Sequence, residues 1–331
     1  MLPRNDETRQ RYPNTTTIKT IKDYKMNKMK TDGFFQKKRQ KQLIFSLIVV
    51  IIPIIQFCIF YIGVNFNSIL MAFQKYEINE QTNLGKYQFN GLKNFRRMFF
   101  QLKYENDLPW ALKNSIIAFL VNIGVGTTLA LIFSLYIFKG MVGSKTFRAI
   151  LFAPSILSSI VTVTMYKNFV ETAIPEIFNL QYGLLGNPDT RFGALLFFMI
   201  WVSFGTQILI YSGAMNTIDP SVIEAAKLDG ASPLREFLSI ILPLIYPTVT
   251  TFLVTNIAGL LTNQMNLFAF YANGADPELR TMGYYLFRQT NTASLAEYPL
   301  LATYGVALTL IAAPITLLGK KVLESVGPKT E

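Results

Sequence analysis

An all-α, polytopic membrane protein is the fold class this sequence predicts, with about six transmembrane helices and both termini cytoplasmic. Three observations predict it. The 331 residues are 51% hydrophobic and only 15% charged, whereas soluble domains carry about a quarter charged residues. Mean hydropathy is +0.31. The apolar residues gather into long runs with charges at their edges, and the length suits about six spans of ~20 residues with their loops.

Composition also removes several functions. The net charge is +11, but the excess is local and does not indicate nucleic-acid binding. There is no histidine, so His-based acid–base catalysis, metal sites and proton relays are out of reach. No catalytic constellation and no metal site is expected. The single cysteine, Cys58, lies in an apolar run, where it is expected to pack as a small hydrophobe.

Residues 1–41 form a polar, basic arm. Lys37, Lys38, Arg39 and Lys41 abut the first apolar run, which keeps that end in the cytoplasm. A disordered arm is expected there, with no signal peptide. The transmembrane domain covers residues 42–321. Span one is 43–64, with Pro53 placed to kink it. Residues 75–110 are a polar external segment that carries several Lys and Arg, against a strict positive-inside rule, and also Glu77, Glu80, Glu105 and Asp107. Span two is 115–138, where Gly124 and Gly126 allow close helix approach. The short loop from Lys139 to Lys145 is basic and inside. Span three, 149–169, is rich in hydroxyls: Ser155, Ser158, Ser159, Thr162 and Thr164. Interhelical hydrogen bonding is the favoured role for these. Residues 171–191 return outside. Span four is 192–215. Span five is 237–261, with Pro243 and Pro247. Residues 263–280 lie outside or at the boundary. Span six is 299–318, and Lys320 and Lys321 close it on the inside. A cytoplasmic tail, 322–331, follows.

The loop between spans four and five, residues 216–236, has its own punctuation. Asp219-Pro220 is an N-cap followed by proline at the first helical position. Asp229-Gly230 stops that helix, because Gly readily takes the left-handed conformation. Ser232-Pro233 repeats the start signal. The spelling is helix, tight turn, helix at a membrane edge. An ordinary connecting loop fits this pattern. A DNA-binding helix-turn-helix fits in form only, since a unit pinned between spans hardly reaches a groove.

Glu224-Ala225-Ala226, Asp229-Gly230-Ala231, Phe237, Ile240 and Leu242-Pro243 resemble the EAA loop of inner-membrane permeases of ATP-binding-cassette importers. Gly91-Leu92-Lys93-Asn94-Phe95 is similar to a stretch before the second span in sugar-importer permeases. Asn266, Phe268 and Gly274 fit a later family motif loosely, and Ala275-Asp276-Pro277 departs from it. The resemblance covers residues 43–321. It points to the carbohydrate-uptake branch, and there to the partner like the larger maltose-importer permease. It implies that Glu224, Ala225, Ala226, Lys227, Asp229, Gly230 and Ala231 form a coupling helix docked on an ATPase subunit. It further implies a second homologous permease, an ATPase dimer and an extracytoplasmic solute-binding protein, in a bacterial cell membrane. This chain would bind no cofactor; ATP and Mg would sit in the ATPase. No Gly-x-x-x-x-Gly-Lys-Ser/Thr phosphate loop occurs in the sequence.

With charges outside the apolar runs, a solute route must use hydroxyls, amides and rings, which suits a sugar. Thr255, Asn256, Thr262, Asn263 and Asn266 near span five, and Gln207 and Tyr211 in span four, are the candidates. Thr255, Thr262 and Asn266 are expected on one helical face. Asn263 and Asn266 are expected as helical neighbours. Interhelical bonding remains open for the asparagines. Two other classes stay open: an importer permease for glycerol phosphate or a peptide, and a self-contained secondary transporter. The latter leaves the Glu224 loop unexplained, and an embedded acid or base for ion coupling is missing from the spans.

Overall fold

Lipid as solvent decides the first element. The structure, a computed structural model, describes residues 40–78, 85–104 and 107–328. Most of the basic arm, Glu80, Glu105 and the last three residues of the tail lie outside the described residues. Contacts divide the chain between Ser68 and Ile69 into two units. Helix α1 (Gln40–Met71), which supplies the described residues of the first unit and ends just past it, buries none of its apolar window. A helix that is apolar on every side suits hydrocarbon, and 32 residues exceed the ~20 that cross it. A π-helical stretch, Phe57–Gly63, follows Pro53. Cys58 is exposed rather than packed, because the whole face it lies on is exposed.

The second unit opens with an antiparallel hairpin, β1 (Gln74–Ile78) and β2 (Gly85–Phe89), pairing Tyr76 with Tyr87. Helix α2 (Lys93–Tyr104) follows. Asn94 ties the two together: its Nδ2 donates to the Ala72 carbonyl at 3.0 Å and the Gln74 carbonyl at 2.6 Å. The Gly91–Phe95 stretch therefore has a local structural use.

Helix α3 (Asp107–Phe138) crosses the full bundle. Gly140 and Gly143 then adopt positive φ in the return turn. The third predicted span is not straight. It is a pair, α4 (Ser144–Ile156) and α5 (Ser159–Phe178), bent by 112°. Pro154 weakens the last turn of α4, Leu157 is extended, and the Ser158 side chain caps the start of α5. Its hydroxyls are used locally: Ser155 donates to Phe152, Thr162 to Ser158 and Thr164 to Ile160. Glu171 lies in α5, and its carboxylate accepts the Leu185 and Gly186 backbone N–H groups.

Helix α6 (Pro188–Met215) is the hub. It buries Leu195, Phe198, Ile208, Tyr211 and Met215. It packs against α3 and α4 and against the later helix α8 (Pro233–Ala258). At Gly205 an added Cβ would lie 2.6 Å from Ser155 Oγ, so α4 and α6 approach closely there. Phe198 stands edge-on to Phe270 at 4.9 Å, closing the core.

Besides the hairpin and α2, two further short helices have no counterpart among the predicted spans. Helices α9 (Leu267–Tyr271) and α10 (Met282–Thr292) follow α8. The last helix, α11 (Tyr298–Val326), runs eight residues beyond the predicted end of span six. Among the described residues, five helices are long and apolar enough to cross a membrane, or six if the bent pair is one span.

Candidate functional site

Between α6 and α8 stands helix α7 (Pro220–Leu228). Its cap chemistry is the one the sequence predicts. Asp219 Oδ1 accepts the Ser221 N–H at 2.9 Å, satisfying one of the donors left free at a helix start. That backbone bond holds the Asp219 carboxyl below its usual range. At the other end the Ala231 N–H donates to Ala226 and the Gly230 N–H to Lys227, at 3.0 and 3.1 Å. These two bonds make a Schellman turn, with Gly230 at φ +72°. Ser232 then caps α8 by accepting from Arg235 N–H at 3.3 Å.

The turn presents a definite face. Glu224, Ala225, Lys227, Asp229 and Gly230 are exposed, and Ala231 is half-buried. Leu228 is 89% exposed, while Ala226 is 5% exposed and packs inside its own chain. The thin outward face is therefore Ala225 rather than the Ala225-Ala226 pair.

Beneath this face lies an ion pair that sequence reading missed. Glu236, in the first turn of α8, pairs with Lys139 at the end of α3. It fixes the α7–α8 corner to the α3 return turn. This corner lies at one end of the bundle. The far end carries the hairpin and residues 259–297. There Asn114 Nδ2 donates to the Glu278 and Arg280 carbonyls at 2.7 and 3.0 Å. Arg280 pairs with Asp107, and Arg191 with Asp276 and Glu278.

The solute-path candidates divide. Thr255, Asn256 and Asn263 come together around a cavity of about 50 Å³, with Ser115, Phe119 and Asn122. Asn122 Nδ2 donates to Asn256 Oδ1 at 3.1 Å. Their remaining amide atoms, Asn122 Oδ1 and Asn256 Nδ2, are buried without a partner. Thr255 also lines a half-open cleft of about 470 Å³ with Tyr246, Thr250, Thr251, Lys320 and Glu324. It thus borders both spaces.

The others sit elsewhere. Gln207 and Tyr211 are buried in α6, and each has an unpartnered side-chain oxygen. Thr262 lines a separate, mostly apolar groove with Leu261, Leu308 and Ala312. The expected common face of Thr255, Thr262 and Asn266 does not form, nor do Asn263 and Asn266 share a helix. Helix α8 ends at Ala258 and Gly259 caps it. Asn263 Oδ1 takes the Met265 N–H at 2.8 Å, and Met265 and Asn266 are left-handed. Asn266 instead precedes α9 as its cap residue. Asn122 was missed because its partner lies 134 residues away.

The fold and these two regions define a multi-pass helical membrane protein with a displayed loop at one end and an amide-lined seam inside. The chain belongs to the binding-protein-dependent transport system inner membrane component family, whose model matches residues 122–331. It is 24% identical over 214 residues to the maltose/maltodextrin transport system permease protein MalF of Escherichia coli (strain K12), covering 61% of this chain. It spans about two fifths (41%) of that protein's length. It is 28% identical over 235 residues to the probable ABC transporter permease protein MG188 homolog of Mycoplasma pneumoniae, covering 63% of this chain and 70% of that one. A bacterial ABC transporter involved in importing the acidic polysaccharide alginate shares the fold, with TM-score 0.69 at 18% identity. That match covers 85% of this chain and 96% of the other. A second structure of an alginate transporter, with an alginate pentasaccharide-bound periplasmic protein, gives TM-score 0.65 at 20% identity, over 83% and 92%.

Proposed function

We propose that this chain is a permease subunit of an ATP-driven importer for a sugar or oligosaccharide. It forms the path with a second homologous permease. An ATPase dimer, holding ATP and Mg, docks on the Glu224–Ala231 loop at the cytoplasmic side, and a solute-binding protein delivers at the far end. Both termini are cytoplasmic. The observation that carries the reading is the α7–α8 corner. Its outward side chains Glu224, Ala225, Lys227 and Leu228 stand on a hydrogen-bonded turn, and Lys139–Glu236 fixes that corner to α3. Force applied at the corner thus reaches two spans. Family membership and the names of the relatives support the importer class.

The seam supports the solute class. Asn122, Asn256, Thr255 and Phe119 offer donors, acceptors and a ring without a formal charge, which suits a neutral polyol. At about 50 Å³ the cavity holds a water or two. A sugar passes only when α3 and α8 separate, so this is a closed state of the path. Asn122 and Asn256 exchange their mutual bond for bonds to solute hydroxyls on opening.

The test is uptake by proteoliposomes holding the chain with its copurified partners. ATP-dependent accumulation of a neutral sugar is expected. Accumulation driven by an ion gradient without an ATPase overturns the proposal.

A further inference from the structure

The basic far-end segment finds no use in the coupling or path chemistry. Helix α2 reads Lys93-Asn94-Phe95-Arg96-Arg97-Met98-Phe99-Phe100-Gln101-Leu102-Lys103-Tyr104, with four cations and no carboxylate. One narrow face is used internally. Asn94 and Met98 are buried, and Gln101 Oε1 accepts the Tyr304 hydroxyl at 3.1 Å. This fixes α2 against the first turns of α11, at the far end.

Phe95 and Leu102 are half-buried beside them, and the other seven residues are exposed. At 100° per residue the outward order is Phe99, Lys103, Arg96, Phe100, Lys93, Tyr104, Arg97. Rings and cations are interleaved around it, with Lys103 and Arg96 side by side. Phe99, Phe100 and Tyr104 are 65%, 62% and 60% exposed. Phe100 and Tyr104 pack at 4.4 Å, and Lys103 stands over the Tyr104 ring at 5.3 Å. Leu92 and Phe89 extend the exposed apolar edge. Water is a poor solvent for this surface, and hydrocarbon is a poor solvent for its cations. The headgroup boundary accepts both.

An independent marker sets the depth. In the first turns of α3, Trp110 carries the Lys113 ammonium 4.6 Å from its ring centroid. Trp is enriched at membrane–water boundaries, and a Lys beside it keeps its charged head in the same layer. Only residues 105 and 106 separate α2 from α3, so α2 lies at the level of Trp110.

We propose that α2 is an interfacial helix that binds anionic phospholipid headgroups at the far end of the bundle. Lys93, Arg96, Arg97 and Lys103 meet the phosphates, and Phe99, Phe100 and Tyr104 enter the acyl boundary. The charge that runs against the positive-inside pattern is then a lipid site. Holding α2 at the surface steadies α11 through Gln101–Tyr304.

The test uses the full chain purified with mixed phosphatidylglycerol and phosphatidylcholine, with retained lipid counted by native mass spectrometry. Lys93→Gln with Arg96→Gln is expected to lower retained phosphatidylglycerol by about tenfold or more, leaving phosphatidylcholine unchanged. In nanodiscs, a fluorophore on Phe100→Cys in a Cys58→Ala background is expected to be quenched by lipid brominated high on the acyl chain. Undiminished phosphatidylglycerol in the folded double variant overturns the proposal. So does an unquenched Phe100 probe. Lost capture of a solute-binding protein with lipid retention unchanged makes α2 a protein-docking face and equally overturns it.

Discussion

Lys139 and Glu236, 97 residues apart, form an ion pair in which the carboxylate is 3% exposed and the ammonium 25%. Burial is asymmetric, so the two single deletions should differ. Lys139→Ala strands a buried carboxylate, at a cost of roughly 3 kcal/mol. Glu236→Ala leaves a lysine that can turn to solvent, and the cost is smaller. The double variant should recover part of the larger loss. Thermal unfolding of all four proteins in one detergent measures the cycle. Equal, additive losses contradict the pair's importance.

Gly230 is left-handed at φ +72°, and its N–H closes the α7 turn. Alanine there costs roughly 1–2 kcal/mol. Proline is locked near φ of about −65° and lacks the N–H, so it cannot make the turn. Gly230→Pro is expected to assemble yet uncouple ATP hydrolysis from uptake. Comparing the two rates in one reconstituted sample checks this, and normal coupled uptake removes the turn from the mechanism.

Asn256→Ala is expected to weaken uptake by tenfold or more while solute-free ATPase activity holds. Hydrogen bonds between membrane helices average only about 0.6 kcal/mol. A purely structural Asn122–Asn256 bond would therefore leave uptake close to normal. Asn122→Ala should behave as Asn256→Ala does. If both variants transport normally, the amide seam is packing.

Gly283 is required by a different crowding. A Cβ there would lie 2.2 Å from the Thr262 carbonyl oxygen, which is backbone and cannot swing away. Gly283→Ala is expected to shift residues 259–282 and cost roughly 1–3 kcal/mol. Gly305→Ala, which meets open space inside α11, is the control and should hold or raise the melting temperature, because Ala favours a helix interior over Gly.

Local chemistry was the legible part of this chain. Apolar runs of sufficient length marked the spans, and Asp219-Pro220, Gly230 and Ser232-Pro233 marked α7 and its turn, all of which the structure contains. Pairings across distance were not legible. Nothing near Lys139 announces Glu236, and nothing near Asn122 announces Asn256. The path residues after Ala258 were misplaced because Met265 and Asn266 are left-handed without being glycine, a cost that tertiary contacts bear. Gly283 opens α10 only because Thr262 lies against it.

The measurement that tests the central claim is a crosslink from the α7 turn. Leu228→Cys in a Cys58→Ala background places a reactive group at the most exposed point of the turn, and Ala226→Cys is the buried control. In native membranes Leu228→Cys is expected to capture an ATPase subunit, with a yield that changes on adding ATP, while Ala226→Cys captures little. A folded Leu228→Cys protein that captures no ATPase under either condition contradicts the coupling role and returns this loop to a simple connection between two spans.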